Sequence, residues 1–118
     1  MSKRNIEVGA AGEAVAAGYY GRLGWLIIER NWRVREGEID LIVERTGTVA
    51  FCEVKTRTSD RFGGGAAAVT PRKQATIRRV AMIWLGQQDR HWRQIRFDVA
   101  IVTPGTHGSA VELLESAF

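Results

Sequence analysis

Apolar and polar residues alternate along the middle of the chain with the period of β-strands. In residues 26 to 34, apolar side chains mostly occupy every second position, which is typical of a strand with one solvated face. Residues 39 to 45 and 48 to 55 are two further strand-like runs, and Thr46-Gly47 lies between them. This pattern predicts a three-strand meander whose second and third strands form a hairpin.

Two segments have the composition or period of helices. Residues 9 to 22 are rich in alanine and predict a first helix despite four glycines. Thr70 and Pro71 are typical of an N-cap and a first helical position, so they predict the start of a second helix. Its apolar residues recur at helical spacing: Ile77, Val80, Ala81, Trp84 and Leu85.

The remaining segments complete one domain, which we expect to span residues 1 to 118. Residues 97 to 102 and 110 to 114 predict two more short strands. Residues 58 to 70 contain three consecutive glycines and predict a mobile loop. No Gly-Lys-Ser/Thr follows them, so this loop is not a phosphate-binding P-loop.

Charge and cysteine content narrow the setting. Seventeen Lys and Arg against thirteen Asp and Glu give a net charge of +4, which favours a polyanionic partner. The single cysteine, Cys52, is expected to be a buried, neutral thiol in a reducing compartment. The N-terminus lacks the apolar core of a signal peptide and no stretch is long enough to span a bilayer, so we expect a cytoplasmic protein.

The predicted hairpin brings four charged residues onto one face. A two-residue loop pairs residues whose numbers sum to 93, as those of Arg45 and Thr48 do. Asp40 then faces Glu53, and Lys55 faces Glu38. These four residues carry a net charge of minus two, so the face is either a site for a divalent cation or a solvated ion-pair surface.

The candidate ligands define the type of cation. All are carboxylates, while His91 and His107 lie outside the cluster, so Mg²⁺ or Mn²⁺ is expected rather than zinc. Such an ion can polarise a phosphodiester and lower the pKa of a bound water, and Lys55 can stabilise developing charge. The corresponding reaction is phosphodiester hydrolysis.

These residues resemble a known signature. "GEID" at residues 37 to 40 followed by "EVK" at residues 53 to 55 is similar to the PD-(D/E)XK nuclease motif. With "GEAVA", the lysine of "TPRKQ" and "RFDVAIV", the chain resembles the YraN family of predicted bacterial endonucleases, which is considered distantly related to Holliday-junction resolvases. The resemblance implies a restriction-endonuclease-like α/β core, in the order helix, three strands, helix, strand, with a mixed sheet flanked by helices.

The resemblance also implies roles for particular residues. It makes Asp40 and Glu53 metal ligands, Lys55 the catalytic lysine, and Glu13 an auxiliary acid near the metal. Glu13 has an alternative explanation, because an acid in the first turn of a helix is favoured by the helix dipole. Glu38 is either a further acid near the site or a turn residue paired with Lys55.

Basic and polar residues near this motif are candidates for nucleic-acid binding. Lys73 lies in the first turn of the second helix, where positive charge opposes the helix dipole, so it predicts a phosphate contact; the alternative is a lysine at the edge of the core. The other candidates are Gln74, Arg57, Arg72 and Arg33. Trp92 can stack on a base or pack under a loop, and Asp98 is expected to pair with Arg96.

The sequence therefore predicts a Mg²⁺-dependent or Mn²⁺-dependent endonuclease that acts on DNA, including branched DNA in repair or recombination. The alternative is a non-catalytic nucleic-acid-binding or adaptor module with the same fold. A nuclease that cuts branched DNA is expected to act as a two-fold homodimer, so that two sites meet two strands.

Overall fold

The computed structural model describes residues 3 to 57 and 69 to 118, with side chains from residue 10 onward. Most of the predicted loop at residues 58 to 70 lies outside these residues. The elements, in chain order, are α1 (Lys3–Arg22), β1 (Leu26–Val34), β2 (Gly37–Arg45), β3 (Thr48–Thr56), α2 (Pro71–Gly86), β4 (Gln94–Thr103) and β5 (Ala110–Leu114).

The five strands form one mixed sheet in the order β1-β2-β3-β4-β5. Strands β1 to β3 are an antiparallel meander, β4 runs parallel to β3, and β5 returns antiparallel to β4. The parallel step requires a crossover, which contains α2. The α/β class and the predicted order of elements are confirmed. No helix within the described ranges has the length and apolar character needed to cross a bilayer.

The first helix is longer than predicted. It begins at Lys3 rather than at residue 9, because residues 3 to 8 contain neither glycine nor proline and include good helix formers. Glu13 is therefore ten residues inside the helix. The explanation of Glu13 as a first-turn acid stabilised by the helix dipole is wrong, since that effect is confined to the first turn.

The helices cover opposite faces of the sheet and create two core layers. Ala16 and Tyr20 of α1 pack with Leu41, Cys52 and Val102, which confirms that Cys52 is a buried thiol. α1 comes very close to β3 at Gly12, where an added Cβ would lie 2.1 Å from Thr56 Oγ1. Small residues in α1 thus permit close packing.

The second helix is as predicted at its start and along its buried face. Thr70 is the N-cap, and its hydroxyl accepts a hydrogen bond of 3.1 Å from the backbone N–H of Lys73. Pro71 occupies the first turn. The buried stripe consists of Ile77, Val80, Ala81 and Trp84. These contacts fix the position of α2 over β2, β3 and β4.

Strand β1 departs from the regular alternation that its sequence predicts. Leu26, at the start of this edge strand, is 61% exposed, and the pairing with β2 shifts by one residue between Ile27 and Glu29. Asn31 adopts a left-handed conformation with φ of 54°, which asparagine tolerates better than most residues. Ile28, Trp32 and Val34 nevertheless all pack in the layer under α2, as the predicted alternation requires.

A buried hydrogen-bond network joins α1 to β4 and to the C-terminal segment. The carboxylate of Asp98 accepts bonds from the Tyr20 hydroxyl at 2.7 Å, from two nitrogens of Arg96 at 2.8 and 2.9 Å, and from the backbone N–H of Ser116. The predicted pairing of Asp98 with Arg96 is confirmed. Asp98 is completely buried, and these hydrogen bonds satisfy its carboxylate. Because the donors lie on α1, on β4 and in the C-terminal segment, the carboxylate links the helix to the sheet.

Trp92 is half-buried and packs against the core under α2 rather than standing free for stacking. Its ring lies 5.3 Å from that of Trp84, and its indole N–H donates to Glu44 at 2.8 Å. Arg90 pairs with the same carboxylate. Glu44 thus holds the segment between α2 and β4 against β2.

We predict that Gly37→Ala destabilises the protein by about 2 kcal/mol, because overpacking forces neighbouring groups apart. A Cβ at Gly37 would lie 2.8 Å from Thr76 Cγ2 and 3.1 Å from Val80 Cγ2, both on α2. Urea unfolding followed by circular dichroism measures the free energy of unfolding.

Gly86→Ala is the matched control for Gly37→Ala. Gly86 is the last residue of α2, and an added Cβ there meets no atom within 4 Å. This variant is expected to be neutral or slightly stabilising. Equal effects of the two substitutions would contradict the close contact between Gly37 and α2.

Candidate metal and catalytic site

The hairpin of β2 and β3 has the predicted register over its first five pairs. Thr46 and Gly47 form the loop with φ of 48° and 82°, as a type I′ turn requires at its two central positions. Pairs run from Arg45 with Thr48 to Leu41 with Cys52, and each pair of residue numbers sums to 93. The loop and register are therefore confirmed up to this point.

Pairing between β2 and β3 ends at Leu41 and Cys52. β2 remains paired with β1 as far as Gly37, and β3 remains paired with β4 as far as Thr56. The sheet is thus divided between its second and third strands over this stretch, which we call the β2–β3 split. The expected cross-strand pairs of Asp40 with Glu53 and of Glu38 with Lys55 are therefore not formed.

At the split, the Asp40 side chain replaces a backbone carbonyl as the hydrogen-bond partner of an amide on β3. Its Oδ2 accepts a hydrogen bond of 2.8 Å from the backbone N–H of Val54. The neighbours of Asp40 face different layers: Ile39 packs in the layer under α2 and Leu41 in the layer under α1. Since residues two apart on a regular strand share a face, β2 twists sharply at Asp40. The carboxylate consequently reaches across to β3.

Asp40 and Glu53 form a buried pair of carboxyl groups, which we call the acid pair. Each residue is 8% exposed, and the two carboxyl groups interact electrostatically. Burial and then the charge of Glu53 raise the pKa of Asp40 to about 7, although the Val54 N–H opposes this rise. The two groups repel each other when both are ionised, so the pair favours binding of a proton or another cation.

Glu53 has cations on two sides. Burial raises its pKa, whereas the charges of Lys73 and Lys55 act in the opposite direction. The ammonium of Lys73 lies 3.7 Å from Glu53 Oε1, which makes it an ion-pair partner. α2 therefore contributes to the site through its first turn.

Lys55 is exposed and makes no hydrogen bond or ion pair with any residue that the structure describes. Its expected partner, Glu38, instead accepts from Arg33 Nε at 2.9 Å. The pairing of Glu38 with Lys55 is wrong, because β1 remains beside β2 here while β3 has separated from it. Arg33 and Glu38 are cross-strand partners. The sequence could have indicated this pair, because the two residues lie at equal distances from the β1–β2 turn. Lys55 is thus an accessible amine beside the acid pair.

Glu13 approaches the acid pair from α1. It is half-buried, and its charge contributes to the raised pKa of Asp40, as does that of Glu38. Four acids from three elements therefore interact electrostatically at the split, since the charges of the other three all raise the pKa of Asp40. α1, β2 and β3 each supply at least one of them.

The other candidates for nucleic-acid binding occupy different surroundings. Gln74 Nε2 donates to the carbonyl of Val69 at 2.9 Å, so it orders the segment before α2. Arg72 is exposed on the first turn of α2. The backbone N–H of Arg57 donates to the carbonyl of Val102 at 2.7 Å and continues the pairing of β3 with β4. Within this set, Arg72 and Arg33 are exposed cations, and Arg33 is paired with Glu38.

The acid pair offers the type of ligand that a hard divalent cation prefers, but it does not offer three protein ligands. All nearby acids offer oxygen ligands, which Mg²⁺ and Mn²⁺ prefer. In the part of the chain with described side chains, no three His, Cys, Asp or Glu residues form a ligand group. Glu13 therefore does not join Asp40 and Glu53 as a direct third ligand here. Mg²⁺ is commonly held by one or two carboxylates with water and phosphate oxygens, so the pair suffices.

The fold and this geometry define an α/β protein with a paired-carboxylate site between the second and third strands of a mixed sheet. Residues 12–102 match the uncharacterised protein family UPF0102. The chain belongs to this family, and the resemblance to the YraN family is confirmed.

Several bacterial proteins are similar over most of the chain. A UPF0102 protein of Mycolicibacterium smegmatis is 54% identical over 106 residues, which cover 88% of this chain and 86% of that protein. One from Mycolicibacterium vanbaalenii is 52% identical over 104 residues, with the same coverage. One from Nocardia farcinica is 48% identical over 113 residues, covering 94% of this chain and 88% of the relative. Their names carry no activity.

We predict that Asp40→Asn stabilises the folded protein by about 2 kcal/mol near pH 8, because it removes a buried charge that repels Glu53. The pKa of Asp40 is raised from 3.8 to about 7 on folding. Its contribution to stability is therefore fully present below pH 3.8 and is lost as the pH rises through about 7. Urea unfolding across this pH range, without divalent ions, measures the effect.

Glu36→Gln is the control for this substitution, since Glu36 is an exposed acid in the β1–β2 turn. It should change the free energy of unfolding by less than about 0.5 kcal/mol. If Asp40→Asn lowered the free energy of unfolding at pH 8 instead, the proposed repulsion between Asp40 and Glu53 would be refuted.

Proposed function

We propose that the protein is a Mg²⁺-dependent or Mn²⁺-dependent endonuclease that hydrolyses phosphodiester bonds in DNA. The observation that carries this proposal is the acid pair at the β2–β3 split, with Lys55 exposed beside it and Lys73 3.7 Å from Glu53. Two buried like charges destabilise the folded protein, and such a cost is typical of functional sites. A structural role alone does not require it.

In this proposal Asp40 and Glu53 hold the cation. Asp40 keeps its orientation through the bond from Val54 N–H to Oδ2, which leaves Oδ1 for the ion. Glu13 acts as an outer acid that orders water near the pair, in keeping with its half-buried position on α1. When bound, the ion supplies Lewis-acid activation of the phosphate and lowers the pKa of a coordinated water.

Lys55 assists catalysis in this proposal without binding the metal ion. Its ammonium is a mobile donor at the edge of the split, where it can reach a phosphate that approaches the acid pair. A positive charge at this place stabilises the extra negative charge that develops on the phosphoryl oxygens during attack. Because Lys55 has no described partner to leave, it can contact substrate at little cost.

The first turn of α2 is the proposed phosphate-binding element. Lys73 and the exposed Arg72 add positive charge where helix N–H groups already favour an anion. The Lys73 N–H itself is used by the Thr70 cap, so side-chain charge rather than that amide provides the contact. Such contacts give affinity without sequence preference.

DNA is the proposed substrate class on the grounds of charge and family resemblance. The net charge of +4 favours a polyanion. The distant relationship considered to exist between the YraN family and Holliday-junction resolvases directs the test to branched DNA, which a homodimer with two sites would cut on two strands.

We predict that the wild-type protein cuts labelled linear, single-stranded or four-way-junction DNA with Mn²⁺, and that Glu53→Gln abolishes cutting. The substitution keeps the shape of the side chain but removes a ligand charge, so the loss is expected to exceed about 100-fold. Gel analysis scores both retention and cleavage. Glu36→Gln is the control and should cut like the wild type.

Cleavage by the Glu53→Gln variant would refute the assignment of the site. Binding of DNA by the wild type without any cutting would favour the alternative, a non-catalytic nucleic-acid-binding or adaptor module. The ion pair of Lys73 with Glu53 is the observation that favours this alternative, since it satisfies the acidic site without an ion.

We predict that Lys55→Gln lowers cleavage by about 100-fold or more while the free energy of unfolding changes by less than about 0.5 kcal/mol. The side chain is exposed and makes no hydrogen bond or ion pair with a described residue, so its loss does not disturb packing. Single-turnover cleavage and urea unfolding are the measurements. Retention of full activity would exclude Lys55 from catalysis.

A further inference from the structure

Lys73 is a charged residue held close to the acid pair by packing that involves other parts of α2. Thr70 caps the helix at the Lys73 N–H, and α2 lies against Gly37 at the start of β2 through Thr76 and Val80. These contacts fix the first turn of α2 relative to β2. The ammonium consequently lies 3.7 Å from Glu53 Oε1.

The ion pair is loose enough to exchange. A distance of 3.7 Å is longer than a charge-assisted hydrogen bond, and the Lys73 side chain is 48% exposed, whereas that of Glu53 is 10% exposed. One partner is therefore fixed and buried, while the other can turn into solvent at its flexible stem. Lysine is a compact charge on such a stem and is suited to this movement.

The other nearby cations do not occupy this position. Arg33 is bound to Glu38, and Lys55 forms no ion pair with a described residue. Within the described ranges, Lys73 is the one basic side chain with an ion-pair distance to the acid pair.

We propose that Lys73 is the internal counter-ion of the acid pair, which a divalent cation displaces and which then binds the phosphate of the substrate. The proposal rests on the proposed function, since it requires that Asp40 and Glu53 bind a divalent ion. It adds an exchange: one buried carboxylate binds either the ammonium or the metal ion, and the released ammonium becomes available to DNA.

Two consequences follow from this exchange. Lys73 competes with the metal for Glu53, so removing it should strengthen metal binding. Metal and DNA binding become positively coupled through Lys73, because each favours the state in which the ammonium has left Glu53. Such coupling is reciprocal by thermodynamic necessity.

The first test is calorimetric titration with Mn²⁺, in the absence of DNA, at about pH 8, where isolated carboxylates are ionised. Lys73→Gln is expected to bind Mn²⁺ about fivefold or more tightly than the wild type. Arg72→Gln is the matched control: it removes the same charge from the adjacent exposed position and should change the affinity by less than about twofold.

The outcomes separate the exchange from the proposed function. Equal or weaker Mn²⁺ binding by Lys73→Gln, with measurable binding by the wild type, overturns the exchange and leaves the metal site intact. An equal gain in Arg72→Gln also overturns it, because general electrostatics then explains the effect. Absence of Mn²⁺ binding by all three proteins overturns both the metal site and the exchange.

The second test measures DNA affinity in a Lys55→Gln background, where cleavage is expected to be at least about 100-fold slower, so that most of the DNA stays intact during the measurement. Without divalent ions, adding Lys73→Gln should change the affinity for duplex or junction DNA by less than about twofold, because Lys73 is engaged with Glu53. With Mn²⁺, the same substitution should weaken binding by about fivefold or more. An equal loss under both conditions would show that Lys73 contacts phosphate independently of the metal, which overturns the exchange.

Discussion

The hydrogen bond from Val54 N–H to the Asp40 carboxylate is the interaction on which the site depends. It replaces a backbone contact at the point where β2 and β3 stop pairing, so the separation of two central strands does not leave this amide without a partner. The same bond fixes Asp40 beside Glu53. Asp40 therefore has two roles. As a hydrogen-bond partner of the β3 backbone it accounts for the local break in the sheet, and as a candidate ligand it accounts for the charge placed there.

The electrostatics of the site run against those of the chain as a whole. A protein with a net charge of +4 buries two adjacent carboxyl groups and places two further acids, Glu13 and Glu38, within range of them. The surrounding fold supplies the stability that this arrangement costs, through well-packed layers on both faces and the buried Asp98 network. A cation at the acid pair relieves the repulsion, whether it is the ammonium of Lys73 or a divalent ion.

Sequence reasoning predicted the features that are set by local pattern. The hairpin register followed from the Thr46-Gly47 loop, and the start and buried face of α2 followed from Thr70, Pro71 and the apolar spacing. It could not predict the β2–β3 split, because the prediction assumed that two paired strands keep their register to their ends. The wrong partner for Glu38 came from the same assumption. The position of Lys73 against Glu53 depends on how α2 packs over Gly37, a contact between elements that no local pattern encodes.

The split also means that the two acids belong to different halves of one sheet. Asp40 is paired through its strand with β1, whereas Glu53 is paired through its strand with β4, and below Leu41 and Cys52 no ladder pair joins β2 to β3. The separation of their carboxyl groups is therefore governed by the angle between two packed units rather than by side-chain rotamers alone. Substitutions remote from the acids, in the layers that set this angle, would then alter the repulsion between the two carboxyl groups and, with it, the pKa of Asp40.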